Sequence, residues 1–272
     1  MKYAIILCDG MADRPVEALG GKTPLEAADT PNMARIAARG RVGRMRTLYD
    51  DLPTGSDVAN LSILGYDPHR YYTGRSPIEA LGLGIPLHAD DTVFRMNLVT
   101  VSGDEPFAEK TMLDHSADKI TTEEAEQLVA ALADALGSDA MRFYPGVSYR
   151  HIFVLSHADY HGTLTPPHDI LGQKITAYLP AGERSAEFLD MMEKSYAILS
   201  AHPVNQARVA RGLRPANCLW LWGSGKKPAY EPFAEKTGLV KGRMITAVPL
   251  LEGLAAGMGL EHPKIPGATG DY

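Results

Sequence analysis

Cysteine is scarce in this chain: Cys8 and Cys218 are the only two among 272 residues. Both lie inside apolar, strand-like runs, which excludes a disulfide scaffold and makes a reducing compartment, the cytoplasm, the simple reading. Long apolar runs are missing as well. No segment approaches the ~18 unbroken apolar residues of a spanning helix, and the run Tyr3 to Cys8 is too short for a signal-peptide core. The expectation is a cytoplasmic protein with no membrane partner. A basic excess is also absent, since 27 Lys and Arg face 33 Asp and Glu for a formal net charge of −6. That balance argues against nucleic acid as a partner, but a few Arg and Lys can still reverse the potential inside a cleft for a small anion.

What is present is an alternation of strand-like and helical patterns, the mark of an α/β architecture. Tyr3 to Cys8 reads as a buried strand and Val42 to Leu48 as another. Between them Thr30 caps a helix that Pro31 opens and Gly40 closes. A helix over Val58 to Leu64 opens behind Ser56. After the Gly/Pro-rich stretch Gly82 to Pro86, Val93 to Val101 is a strand. Thr121 and Glu124 form a capping box for a helix whose apolar positions run from Ala125 to Leu136 and which stops at Gly137. His151 to Leu155 is a strand and Ser185 to Leu199 an amphipathic helix. Asn217 to Trp222 is a further strand, and Met244 to Met258 a strand followed by a helix. The division expected is a core from both chain ends, residues 1–87 and 214–272, with an α/β domain inserted at 88–213.

Two positions carry the chemistry. Asp9 follows the first apolar run, and a carboxylate at a strand's carboxyl end can hold a divalent cation; an Asp-Gly turn is the bland alternative. Ser56 follows Gly55 at a helix start, where free N–H groups favour a phosphate and a metal would activate the hydroxyl as a nucleophile. Taken without context, a helix N-cap is the commoner role of such a serine. Asp57 and Asn60 flank it and either orient it or merely occupy the first helical turn. Arg75, Arg150, Lys226 and Lys227 are candidates to hold an anion, Arg150 and Lys226 foremost, against the alternative of solvated surface charge. His115 is either a substrate contact or a loop histidine. His157 and His161, four apart, lie where a loop is more natural than a metal-binding helix. Gly223 to Lys227 lacks the spacing of a nucleotide-phosphate loop, with Pro228 where Ser or Thr belongs, so no nucleotide cofactor is expected. The two tryptophans read as core.

Asp9-Gly-Met11 with the segment Thr54 to Pro68 resembles the archaeal-type cofactor-independent phosphoglycerate mutases of the alkaline phosphatase superfamily. The likeness continues through Tyr72 to Gly82, Phe94 to Thr100, Tyr144 to His151, Leu213 to Gly223 and Pro266 to Gly270, nearly the whole chain. It implies an alkaline-phosphatase-like core sheet with an inserted domain that closes over the substrate. It implies further that 3-phosphoglycerate and 2-phosphoglycerate interconvert through phosphoserine at Ser56. Two divalent cations, Mn²⁺ or Mg²⁺, serve with Asp9 and Ser56 among their ligands, and no 2,3-bisphosphoglycerate is needed. A phosphatase or another phosphomutase would use the same core.

The chain departs from the family pattern in its metal ligands. The family's remaining Asp and His ligands come from a carboxyl-terminal part of the core, and the only His after the Trp220-Leu-Trp-Gly223 strand is His262, which stands beside Pro263 and fits no such role. Asp114-His115 imitates one ligand pair but sits in the middle segment. The expectation is an incomplete core sheet in a piece of a longer enzyme, weak or inactive by itself, with a non-catalytic binding remnant as the competing class. Oligomeric state is not legible.

Overall fold

The computed structural model describes residues 2–8 and 10–267, and the chain divides into two compact units, residues 1–46 and 47–272. Among the described residues no helix is long and apolar enough to cross a membrane. The architecture is mixed α/β.

The first unit holds short helices, Pro24–Ala27 and Pro31–Arg39. Thr23 and Glu26 close a reciprocal capping box on the former. Pro31 sits at the start of the latter and Gly40 at its end, as the pattern predicts, but the Thr30 side chain makes no capping bond. The strands expected at Tyr3 to Cys8 and at Val42 to Leu48 do not form. Tyr3, Ile5, Ile6 and Val42 are exposed, and no strand among the described residues pairs with either run. An apolar run marks a segment that can be a strand; only a neighbour satisfying its N–H and C=O groups makes it one. Asp9, assigned to the carboxyl end of the first strand, lies outside the described residues.

The second unit is organised by the ten-residue strand Thr92–Val101, buried along all but one position. It pairs antiparallel with Arg150–Leu155 on one side and Cys218–Lys226 on the other. Met112–Asp114 meets it near its end, and Met141–Val147 adds an outer strand beyond Arg150–Leu155. The strand read as Asn217 to Trp222 therefore runs on to Lys226 and belongs to the same sheet as the middle segment. Phe94, Met96 and Leu98, alternating along the strand, face the larger core. There the helices Thr122–Leu136 and Ser185–Ala201 pack, with Phe94, Phe153, Tyr160 and Phe188 in mutual edge and stacked contacts. Thr121 caps its helix through Glu124 N–H, but the box is one-sided, because the Glu124 carboxylate is drawn instead to Arg208 and Arg211.

A second core lies between residues 56–82 and 230–260, formed by Leu61, Tyr66, Tyr71 and Ile78 against Tyr230, Leu250 and Leu254. The helix Pro249–Gly257 is present, but no strand precedes it at Met244; that segment makes single contacts only, such as Met244 N–H to the Glu261 carbonyl at 2.8 Å. The helix Arg75–Gly82 crosses Pro249–Gly257 at two glycines, with no room beside either. A Cβ on Gly82 would run into the Pro249 carbonyl oxygen, and one on Gly253 into that of Ile78. Gly253→Ala should therefore lower the midpoint of chemical denaturation, with a loss of about 1–3 kcal/mol, whereas Gly259→Asn, at an open left-handed position, should be close to neutral.

Candidate functional site

Ser56 is the first residue of the helix Ser56–Ile63, and the N-cap is Gly55, whose lack of a side chain leaves the helix entrance without a side-chain cap. The capping role open to Ser56 is thus not the one it plays. Its side chain is exposed, and its carbonyl accepts from Asn60 Nδ2 at 2.7 Å. Asn60 accordingly braces the first turn from within. Asp57 is buried, and its Oδ1 accepts from Val58 N–H at 3.0 Å. A Cβ at Gly55 would meet the Asp57 carboxylate, which would have to shift to admit it. Burial, with the Asp57 carboxylate as hydrogen-bond partner, pushes the Tyr72 phenol up to about 12. Tyr72 also lies within electrostatic reach of Arg75, which links the serine's helix to the start of the next one.

That next helix opens at Gly74, φ +117°, packed against Ser224 and Gly225. Thr73 Oγ1 donates to the Lys226 carbonyl at 2.6 Å and Ser76 Oγ to that of Gly223, so the helix start is tied to the strand Cys218–Lys226. Arg75 Nε donates to Glu79 Oε1 at 2.8 Å, and the other oxygen of Glu79 takes Arg95 Nε at 3.2 Å. Arg95 stands on the central strand opposite Trp222, its guanidinium carbon 4.4 Å from the indole centroid. Trp222 Nε1 donates to Asn97 Oδ1 at 3.0 Å, and Asn97 Nδ2 to the His115 carbonyl at 3.0 Å. Arg150, opposite Asn97 on the other flank, lies over the Tyr149 ring. His115 packs edge-on to Tyr149 and His168, and His168 to Trp222. The His115 Nδ1 is buried without a hydrogen-bond partner.

The result is two guanidiniums, Arg75 and Arg95, on one carboxylate, Glu79, with Arg150 within electrostatic reach of Arg95. Burial lowers the Arg95 pKa, Glu79 opposes the shift, and Arg75 and Arg150 add to it. Arg95 is the buried member of the group, Arg75 is partly exposed and Arg150 exposed. Positive charge thus runs from a buried position beside Trp222 out to solvent, a distribution chemically suited to oxyanions. Of the residues chosen from sequence, Arg75, Arg150 and His115 come together here. Lys226 does not: its Nζ donates to the carbonyls of Asp90 and Ala158 and pairs with Asp159 at 2.6 Å, and its register partner is Thr92 rather than Arg95. Lys227 is held likewise by the Leu87 carbonyl. Arg95, Glu79, Asn97 and His168 were not anticipated. Trp220 is core and Trp222 packs against that core, as expected, while its ring also faces the Arg95 guanidinium. The signal for Arg95 and Asn97 is their place at alternate positions of an otherwise apolar strand, two polar groups on the face opposite Phe94, Met96 and Leu98.

Residues 37–205 match the protein family described as 2,3-bisphosphoglycerate-independent phosphoglycerate mutase. A relative of that name from Methanosarcina barkeri is 47% identical over 274 residues, covering 99% of this chain and 66% of the relative. One from Methanothrix thermoacetophila is 48% identical over 270 residues, with the same coverage. The chain thus spans just under two thirds of the length of these relatives. Among solved structures, the cofactor-independent phosphoglycerate mutase of Thermoplasma acidophilum is similar with a TM-score of 0.62 and 33% identity, over 95% of this chain and 68% of that one. A Pyrococcus horikoshii protein gives a TM-score of 0.75 at 31% identity, over 97% and 61%.

Arg95→Met should weaken binding of a small dianion, read by calorimetric titration, by roughly 10- to 100-fold, the loss of one charge-assisted contact. His151, next to Arg150, provides a pH test. It is buried, Nδ1 accepts from Gly146 N–H at 3.0 Å, Nε2 has no partner, and burial pushes its pKa down to about 3 from 6.5. Below pH 6.5 the unfolded chain takes a proton that the folded one refuses, so stability falls towards pH 3 by up to about 1.4 kcal/mol per pH unit. His151→Gln should flatten that slope in denaturation series.

Proposed function

Since the chain belongs to the 2,3-bisphosphoglycerate-independent phosphoglycerate mutase family, we propose that it carries the nucleophile and the anion seat of an enzyme interconverting 3-phosphoglycerate and 2-phosphoglycerate. The observation that carries this reading is Ser56, exposed at a helix entrance that it does not cap. Its hydroxyl oxygen attacks phosphorus, the substrate's own hydroxyl oxygen leaves and takes up a proton, and glycerate stays bound. The phosphoryl group then returns to the other hydroxyl. The N–H groups of Ser56 and Asp57 at the helix start favour the phosphate's charge, that of Val58 being taken by Asp57 Oδ1, while Arg75, Arg95 and Arg150 hold the substrate's anionic groups. Asp57 and Asn60 orient the nucleophile's turn, and His115, with its unpartnered Nδ1, faces substrate. The segment 88–213 acts as the closing domain that keeps water from the phosphoserine.

The serine oxygen and the Asp9 carboxylate are hard donors that suit Mn²⁺ or Mg²⁺. Two such cations, when bound, neutralise phosphate charge and lower the serine's proton affinity. Two ligands do not complete two cation sites, and by themselves the 272 residues turn over weakly or not at all. Phosphatase action is the second reading, favoured where the phosphoserine is open to water. In a Mn²⁺-supplied assay the full-length enzyme should yield 2-phosphoglycerate, and Ser56→Ala should lower kcat by at least about 10³-fold. Release of inorganic phosphate without the isomer would reject the mutase.

A further inference from the structure

Lys226 is tied into a second polar cluster, where the central strand begins. Asp91 is fully buried there. One of its oxygens accepts from His88 N–H at 2.9 Å and from Arg142 Nη2 at 2.9 Å, the other from His157 N–H at 3.1 Å. A single carboxylate thus pins two loops distant in sequence, and each loop carries a histidine. His157 is held at φ +51°, a conformation uncommon outside glycine. Its Nδ1 lies 2.9 Å from Asp90 Oδ2, and its ring centre 4.9 Å from that of His88. Ligand-type atoms of Asp90, Asp91 and His157 fall within 4.8 Å of one another. Both imidazoles line a cavity of about 370 Å³, with Asp139 on its wall.

We propose that His88 and His157 are ligands of one late first-row divalent cation, such as Zn²⁺, at this cavity. The carboxylate of Asp90 receives Nδ1–H of His157, which fixes the tautomer and leaves the Nε2 lone pair for the metal, the arrangement that orients metal-binding histidines. Two imidazoles bound to one tetrahedral cation at ~2.0–2.1 Å have ring centres roughly 5 Å apart, close to the spacing found. Asp91 is no ligand; its oxygens are spent on two N–H groups and a guanidinium, and Arg142 is neutralised by it. Imidazole donors select Zn²⁺, Ni²⁺ or Cu²⁺ over Mg²⁺, so the site differs in kind from the hard-oxygen centre assigned to Ser56. It also replaces the His157–His161 pairing suggested by spacing, because the loop conformation gives His157 a ring partner in His88 instead.

The test is calorimetric titration of the untagged chain with Zn²⁺ in excess Mg²⁺, with circular dichroism to verify folding. The chain and its Ser56→Ala and His161→Ala variants should each take up one equivalent with equal affinity. His88→Gln and His157→Asn, the latter tolerant of the left-handed backbone, should each weaken it at least 10-fold, and the double variant should lose it together with the Zn²⁺-dependent rise in Tm. No uptake by the parent chain, or unchanged affinity in the folded double variant, would overturn the proposal. Uptake lost in Ser56→Ala alone would also overturn it, while leaving the reading of Ser56 intact.

Discussion

The pairing of Thr92–Val101 with a strand on each flank is the constraint on which the second unit depends. A buried strand has to satisfy every N–H and C=O from its neighbours, and here Arg150–Leu155 and Cys218–Lys226 do so over most of its length. Because side chains alternate, that register fixes two faces at once. One receives Phe94, Met96 and Leu98 and becomes the larger core. The other brings Arg95 beside Trp222, and Asn97 beside Arg150, with no freedom to choose other neighbours.

The electrostatics of the candidate site follow from this packing. Arg95 is largely withdrawn from water, and a desolvated guanidinium is tolerable only beside an anion or an aromatic face. Glu79 and Trp222 supply both, from a helix and a strand tied together through Thr73, Ser76 and their carbonyl partners. One carboxylate holds the two guanidiniums of Arg75 and Arg95 without cancelling both charges. The Ser56 helix joins through Asp57 and Tyr72, so the turn that carries Ser56 and the Arg75–Glu79–Arg95 group share one polar chain.

Much of this was legible in residue order. Helices announced by caps and breakers, Pro31 to Gly40 or Thr121 to Gly137, formed where expected, since their signals are local. Strand expectations divided by whether a partner exists. Val93 to Val101 and His151 to Leu155 found each other, whereas Tyr3 to Cys8 and Val42 to Leu48 have no pairing neighbour among the described residues. Single charges were the least legible. Nothing in sequence separates Arg75, which shares Glu79 with Arg95, from Lys226, consumed by two carbonyls and Asp159.

By itself the sequence determined the family, the serine at a glycine turn and the polar alternation of the Phe94 to Leu98 strand, because these depend on residue type and spacing alone. Only the tertiary structure decided which cations gather around Glu79, that Gly55 rather than Ser56 occupies the cap, and that His88 lies against His157. Those outcomes depend on which distant segments meet. Strand register and the crossing of helices at Gly82 and Gly253 govern that meeting, and the whole fold has to be in place before either exists.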